Sequence, residues 1–315
     1  MKQAFQPAAL VLAAIGFAFG STPGMAQPAA PGLQVTYQEP TNPAHRPIYE
    51  RLKQRKVLEQ YQEFMSPLKL PRSLQVVLQG CNGTVNAWFD GNARITLCYE
   101  YIDLIEKVAA KGDAPPGFKR EDAIVGPFVQ VVLHETSHAV FKILDIPVFG
   151  REEDAADTLA EFIMLQFGKN VARRTLSGVA FFYRALGIQE TLKLEDFSDE
   201  HGTDGQRFYN ALCIAYGSDP DTFKDIVGLL PKERAVRCKG EYDAASKAFT
   251  KLILPHVDKA AMERVRQVEW LKEGDGTDVL PGNVPGGPAT PGAPGAPGAP
   301  GGGGGTPVPG PGPRG

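Results

Sequence analysis

Apolar residues in "RPIYERLKQRKVLEQYQEFM" fall at Ile48, Leu52, Val57, Leu58 and Tyr61, with charges between them. That spacing matches one face of a 3.6-residue helix and predicts a single surface helix. The pattern then changes period. "SLQVVLQ" (73–79) and "ARITLCY" (93–99) are rich in β-branched residues and read as strands, and Asp90-Gly91-Asn92 between them is a turn signal. The expectation is a hairpin made by these two strands.

Beyond residue 99 the chain turns helical. Pro127 suits the first turn of a helix, where its missing N–H is not needed, and the apolar pattern runs from there through Leu144. "DIPVFG" interrupts it. "EEDAADTLAEFIMLQF" predicts a second helix that Gly168 can end, and "VARRTLSGVAFFYRAL" a third that Gly187 can end. Helices around "GQRFYNALCIAY" and "HVDKAAMERVRQVEWL" complete an α+β chain with helix in excess. No Pro/Gly/Ser-rich linker divides residues 45–280, so they are expected to form one domain.

The two ends have a different character. Lys2, an apolar run from Ala8 to Phe19 and the small residues Gly24-Met25-Ala26 read as an export signal over residues 1–26, too short to span a bilayer. Residues 27–44 are expected to be an N-terminal extension. From Pro281 the chain is almost wholly Pro, Gly and Ala; with so little apolar surface to offset ordering, 281–315 is expected to be a disordered tail. The domain would thus be exported, periplasmic or secreted, with no membrane span after signal removal.

Charge and cysteine usage narrow the class. The formal charge of −3 and the lack of any Lys/Arg run argue against a nucleic-acid partner. Cys81, Cys98, Cys213 and Cys238 have no Cys-x-x-Cys spacing. In an exported chain they suggest two disulfides, and the sequence-local pairing, Cys81 with Cys98 and Cys213 with Cys238, closes two short loops.

The chemistry concentrates in "VVLHETSHAVFKIL". Four residues apart on a helix, His134 and His138 share a face one turn apart and can reach one tetrahedral ion. Glu135 lies beside them, within reach of a metal-activated water whose proton it can accept. A catalytic zinc takes three protein ligands and leaves a fourth position open. An extended motif with a third histidine fails, because Phe141 and Leu144 hold the relevant positions. Downstream, Glu153 fits the third-ligand role, with Asp154 and Asp157 as alternatives, and Asp157 suits the job of accepting the other ring N–H of a ligand histidine. Acids also gather in the first turn of helices because the helix dipole favours them. Arg151 and Glu152 read as solvated or capping groups, and His45 and His256 as surface residues.

"HETSH" followed by Glu153-x-x-x-Asp157 resembles the gluzincin metallopeptidases. That resemblance implies a zincin-like fold, a small antiparallel sheet with a hairpin packed on the active-site helix and a mainly helical remainder. It also implies Zn²⁺ on His134, His138 and Glu153, with Asp157 supporting a histidine. "NAWF" at Asn86 to Phe89 is similar to the gluzincin edge strand that lies along the substrate, which assigns Asn86, Ala87 and Trp88 to peptide binding. His201 can take the part of the downstream histidine that stabilises the oxyanion in several such enzymes, or be a solvent-exposed loop histidine; Tyr209 and Tyr216 are alternative donors that core packing explains equally well. "CNGTVNAWFD", "ITLCYEYI", "QRFYNALCIAYGSDP" and "LPKERAVRCKGEY", together with the HETSH segment, also resemble a bacterial family of exported proteins classed as a domain of unknown function and described as metallopeptidases. The implied protein is a monomeric zinc hydrolase of peptide or protein substrates. A different class, a secreted module in which the same zinc is structural or the peptidase site is inactive, stays open at this point.

Overall fold

Strands rich in Val, Ile and Leu form the sheet. A computed structural model of the protein describes residues 32–111, 118–188, 191–268 and 270. The expected export signal and the Pro/Gly-rich tail lie outside the described residues. The strands are β1 (Gly32–Tyr37), β2 (Ser73–Gln79), β3 (Ala87–Phe89) and β4 (Arg94–Cys98), in the order β1-β2-β4-β3. β1, β2 and β4 run parallel, with Val35 opposite Val76 and Val76 opposite Ile95. Only β3 is antiparallel, pairing Trp88 with Thr96.

This corrects the expected hairpin of 73–79 with 93–99 and the expected antiparallel sheet. Val76, Val77 and Leu78 are buried in succession, as are Ile95, Thr96 and Leu97, so both faces of these strands are covered there, which suits parallel pairing. Residues 80–93 are long enough to carry the chain back for a parallel neighbour. The turn signal itself is correct but joins β3 to β4. Asp90 accepts the backbone N–H groups of Asn92, Ala93 and Arg94, and Gly91 takes a positive φ of 75°. β1, which the pattern did not predict, lies in the segment expected to be an extension and supplies one sheet edge.

The helices are α1 (Arg46–Gln54), α2 (Val57–Met65), α3 (Tyr99–Lys111), α4 (Arg120–Ile143), α5 (Glu152–Met164), α6 (Lys169–Gly187), α7 (Asp204–Ser218), α8 (Lys232–Ala235), α9 (Cys238–Ala248) and α10 (Lys259–Arg266). The single helix expected over 46–65 is two, because Lys56 adopts a left-handed φ of 51° and turns the chain between them. Both contribute to the core through Ile48, Tyr49, Leu58 and Phe64 rather than lying on the surface. α4 starts seven residues before Pro127, which lies inside it. The acids Glu121 and Asp122 mark its true first turn, where the dipole favours them. His45 is buried against Tyr99, not on the surface; His256 is half-buried, and its carbonyl accepts the Lys69 N–H.

α4 is the central element. It packs on α3, α5 and α6 and lies against β3 and β4. Its crossing with α6 is glycine on glycine: a Cβ on Gly126 would overlap the Thr175 carbonyl, and one on Gly178 would overlap the Asp122 carbonyl. The local disulfide pairing holds. Cys81–Cys98 ties the loop after β2 to the end of β4, and Cys213–Cys238 ties α7 to α9. Among the described residues, no helix is long and apolar enough to cross a membrane.

Candidate metal centre

Helical spacing carries His134, Glu135 and His138 onto a stretch of α4 buried from Gln130 through Phe141. Positive φ at Asp145 and Gly150 shapes the connection that leads into α5, which supplies Glu153 and Asp157 four residues apart. Glu153 Oε2 lies 2.9 Å from His134 Nε2 and 3.1 Å from His138 Nε2, and the two Nε2 atoms are 3.1 Å apart. All three side chains are buried. Two imidazole nitrogens and one carboxylate oxygen therefore converge on one point.

The other ring nitrogens are held as well. His134 Nδ1 is 2.7 Å from Asp157 Oδ1, and His138 Nδ1 is 2.7 Å from Glu152 Oε1. A carboxylate at each Nδ1 holds a proton there and fixes the ring, so that both Nε2 atoms face Glu153. The sequence reading placed Asp157 in this role and missed Glu152. Asp154 faces Arg151 at 3.8 Å instead of the histidines.

Behind Asp157 lies a buried polar network. Arg207, on α7, donates from Nε to Asp157 Oδ2 and from Nη2 to Oδ1, both at 2.7 Å. Gln130 donates to Oδ1 at 2.8 Å and accepts the Tyr183 hydroxyl at 3.1 Å. The guanidinium also sits 4.4 Å over the Tyr183 ring. Sequence patterning missed Arg207, Gln130 and Tyr183. A signal existed for two of them: Arg207 shares a helix face with buried Ala211 and Ala215, and Gln130 stands one turn before His134 on an apolar face, where an unpaired polar group is costly.

Electrostatics follow from this packing. Burial alone lowers the His134 pKa, but the Asp157 charge and the hydrogen bonds to Asp157 and Glu153 outweigh it and raise it to about 9. Burial opposes ionisation of Glu153, yet contacts with His134, His138 and His201 hold its carboxyl far below the usual range. Asp157 is likewise depressed against its burial, chiefly by Arg207 and His134. The cluster is built around positive charge at the point where the Nε2 atoms meet.

His201 belongs to this cluster. Its Nε2 is 2.9 Å from Glu153 Oε2, and its ring faces that of His134 with centroids 5.9 Å apart. Arg151 fixes the loop that carries it, donating to the Asp199 and Glu200 carbonyls at 2.7–3.0 Å. Arg151 is thus a clasp and not a solvated group. Tyr209 is exposed and edges onto Phe208, while Tyr216 packs against the core. Asn86 caps Ala87 with its side chain and accepts the Cys98 N–H with its carbonyl, leading into edge strand β3 beside α4.

Glu135 is the exception to this pairing. It is buried, and its Oε2 has no hydrogen-bond partner among the described residues. A buried carboxylate oxygen without a donor is costly, and one beside a metal-type donor set marks a place where a water or substrate proton belongs.

The donor set fits a divalent metal on its own chemistry: two imidazole Nε2 atoms that can ligate once a cation takes the place of their protons, one ionised carboxylate, and a neighbouring acid with an unpartnered oxygen. These features define the class as a protein with a helix-borne His-Glu-x-x-His site completed by a glutamate from the following helix. The chain belongs to the family described as "Putative metallopeptidase", which it matches over residues 37–253. No curated protein and no solved structure matches it.

Proposed function

We propose that this protein is a zinc-dependent peptidase of the gluzincin type with a zincin-like fold, in which His134, His138 and Glu153 are the ligands. Zinc there supplies a water acidified toward neutrality and a Lewis acid for the scissile carbonyl. Glu135 accepts the proton of the attacking water and delivers it to the leaving amine, a role that its unpartnered buried oxygen supports. His201 donates from Nε2 to the oxyanion. Asp157 and Glu152 keep the two histidines in the ligating tautomer.

β3 is a sheet edge, so Asn86, Ala87 and Trp88 offer backbone groups with which an extended peptide pairs as an added strand. Two disulfides suit an oxidising compartment, in line with an exported enzyme that acts as a monomer on peptide or protein substrates. The observation that carries the reading is Glu135 Oε2, buried and unpartnered among the described residues, beside three convergent donor atoms.

The test is metal content together with peptide-library cleavage. Wild type should hold one zinc per chain and cleave. Glu135→Gln should keep the zinc and lose about 10²–10⁴ in rate, and Glu153→Ala should lose the zinc. Firm zinc with no cleavage by wild type would replace this reading with a metal-stabilised binding module.

A further inference from the structure

Two connections border the metal centre, and both expose large apolar side chains. The α4–α5 connection carries Phe149, which is fully exposed. The α6–α7 connection carries Leu194 at 87% and Phe197 at 55% exposure. The Arg151 clasp joins the two connections, because Phe149 precedes Arg151 by two residues and Phe197 precedes the bonded Asp199 by two. The second connection leads directly into His201, whose Nε2 touches Glu153. Both apolar segments are therefore tied, through Arg151, to the loop that carries His201 into the proposed active site, and form a rim in continuity with it along the chain.

The same rim is acidic. Every residue from 191 to 200 is exposed. Within 191–200, Glu195, Asp196, Asp199 and Glu200 stand against one cation, Lys193, which gives this short stretch as much negative charge as the whole chain's −3. Glu152 and Asp154 add to it against Arg151. Such a field attracts cations and repels anionic lipid headgroups, so apolar exposure here does not suit a membrane surface.

From this continuity and charge we infer that the rim is the substrate-docking surface, and that it selects peptide or protein segments in which apolar side chains are interspersed with Lys or Arg. The inference deepens the peptidase reading and rests on it for the cleavage step. Apolar side chains of the substrate cover Phe149, Leu194 and Phe197. Its cations lie against the carboxylates of 195–200, while its backbone reaches the metal centre past His201.

The experiment uses the zinc-loaded full chain and three fluorogenic peptides of equal length: apolar–basic, apolar–acidic and polar–basic. Each is assayed for kcat/KM with wild type, Phe149→Ser/Phe197→Ser and Glu195→Lys/Glu200→Lys, and for binding by anisotropy with Glu135→Gln. Wild type should prefer the apolar–basic peptide by about tenfold over both others, more at low salt than at high. The charge variant should erase the preference over the acidic peptide, and the phenylalanine variant the preference over the polar one, mostly through KM. Equal rates for all peptides, or preferences unmoved by both variants, would overturn the inference.

If wild type cleaves none of them, the peptidase reading fails, and anisotropy decides the docking surface alone. Preferential binding of the apolar–basic peptide supports it, and indifferent binding overturns it. Phe-dependent co-sedimentation with phosphatidylglycerol vesicles, without peptide discrimination, would overturn it in favour of a membrane contact.

Discussion

Arg207 grips both oxygens of Asp157, at 2.7 Å each, from a helix 50 residues further along the chain. The pair keeps Asp157 ionised against its burial, and an ionised Asp157 holds His134 Nδ1. Arg207→Met would leave a buried carboxylate without its cation. Loss of one partner of such a pair costs about 3–5 kcal/mol, and loss of a group supporting a metal ligand costs about 10–100-fold in metal affinity. Both losses should appear in Arg207→Met, in thermal unfolding of the metal-free protein and in zinc competition against a chelator. Arg207→Lys restores the charge but not the two-pronged geometry and should fall between.

Asp157 and Glu152 make the same contact with different histidines, but their surroundings differ. Asp157 is buried, whereas the Glu152 side chain is 56% exposed. Water screens and competes for the second contact far more than the first. Asp157→Ala should therefore weaken zinc binding by at least about tenfold more than Glu152→Ala. Chelator competition on the two variants side by side measures this, and equal losses would mean that burial does not set the strength of these supports.

The histidine pair was legible because it is local: one helical turn sets the His134–His138 spacing, and no long-range contact is needed. Glu153 and Asp157 were legible for the same reason once α5 was recognised. Sheet order was not. β1, β2 and β4 are parallel neighbours joined by long excursions, and a turn signal at Asp90-Gly91-Asn92 specifies only the strand pair it connects, β3 and β4. Glu152 hid among first-turn acids that the helix dipole attracts anyway. Arg207 hid because its partner lies in another helix, and pairing at that distance leaves no periodic trace. Lys56 broke a helix that side-chain periodicity alone carried straight through, since hydrophobic spacing is blind to a single backbone torsion.

The crossing of α4 and α6 puts Gly126 against Gly178 with no room for a side chain. The obstructing atoms are backbone carbonyls, which cannot swing aside as a flexible side chain can. Gly126→Ala or Gly178→Ala should therefore destabilise by about 3 kcal/mol, at the upper end for overpacking, despite alanine's better helix propensity. Because α4 carries His134 and His138, separation of the helices should also lower zinc affinity. Urea unfolding gives the first quantity. A midpoint at or above that of wild type would show that the helices separate at little cost.

Glu161 lies two turns beyond Glu153 and one beyond Asp157 on α5, and it is 1% exposed. Its Oε2 has no hydrogen-bond partner among the described residues. Burial first, and then the Asp157 charge, push its carboxyl well above the ordinary 4.5, with Arg207 and His134 opposing too weakly to restore it. Above pH 4.5 the unfolded chain releases this proton while the folded chain keeps it, so the folded state binds more protons and stability falls as pH rises toward the folded value. The favourable contribution is whole below pH 4.5 and declines above it. Glu161→Gln fills the same space, cannot ionise and escapes that decline. Its melting temperature should exceed that of wild type at pH 7, by about 2–4 °C for each kcal/mol recovered in a domain of this size. The difference should close as pH falls to 4. Parallel melting curves for the two proteins from pH 4 to pH 7, both free of metal, isolate Glu161 because every other titrating group is shared. A constant difference across that range would mean that the carboxyl is not held protonated by the fold.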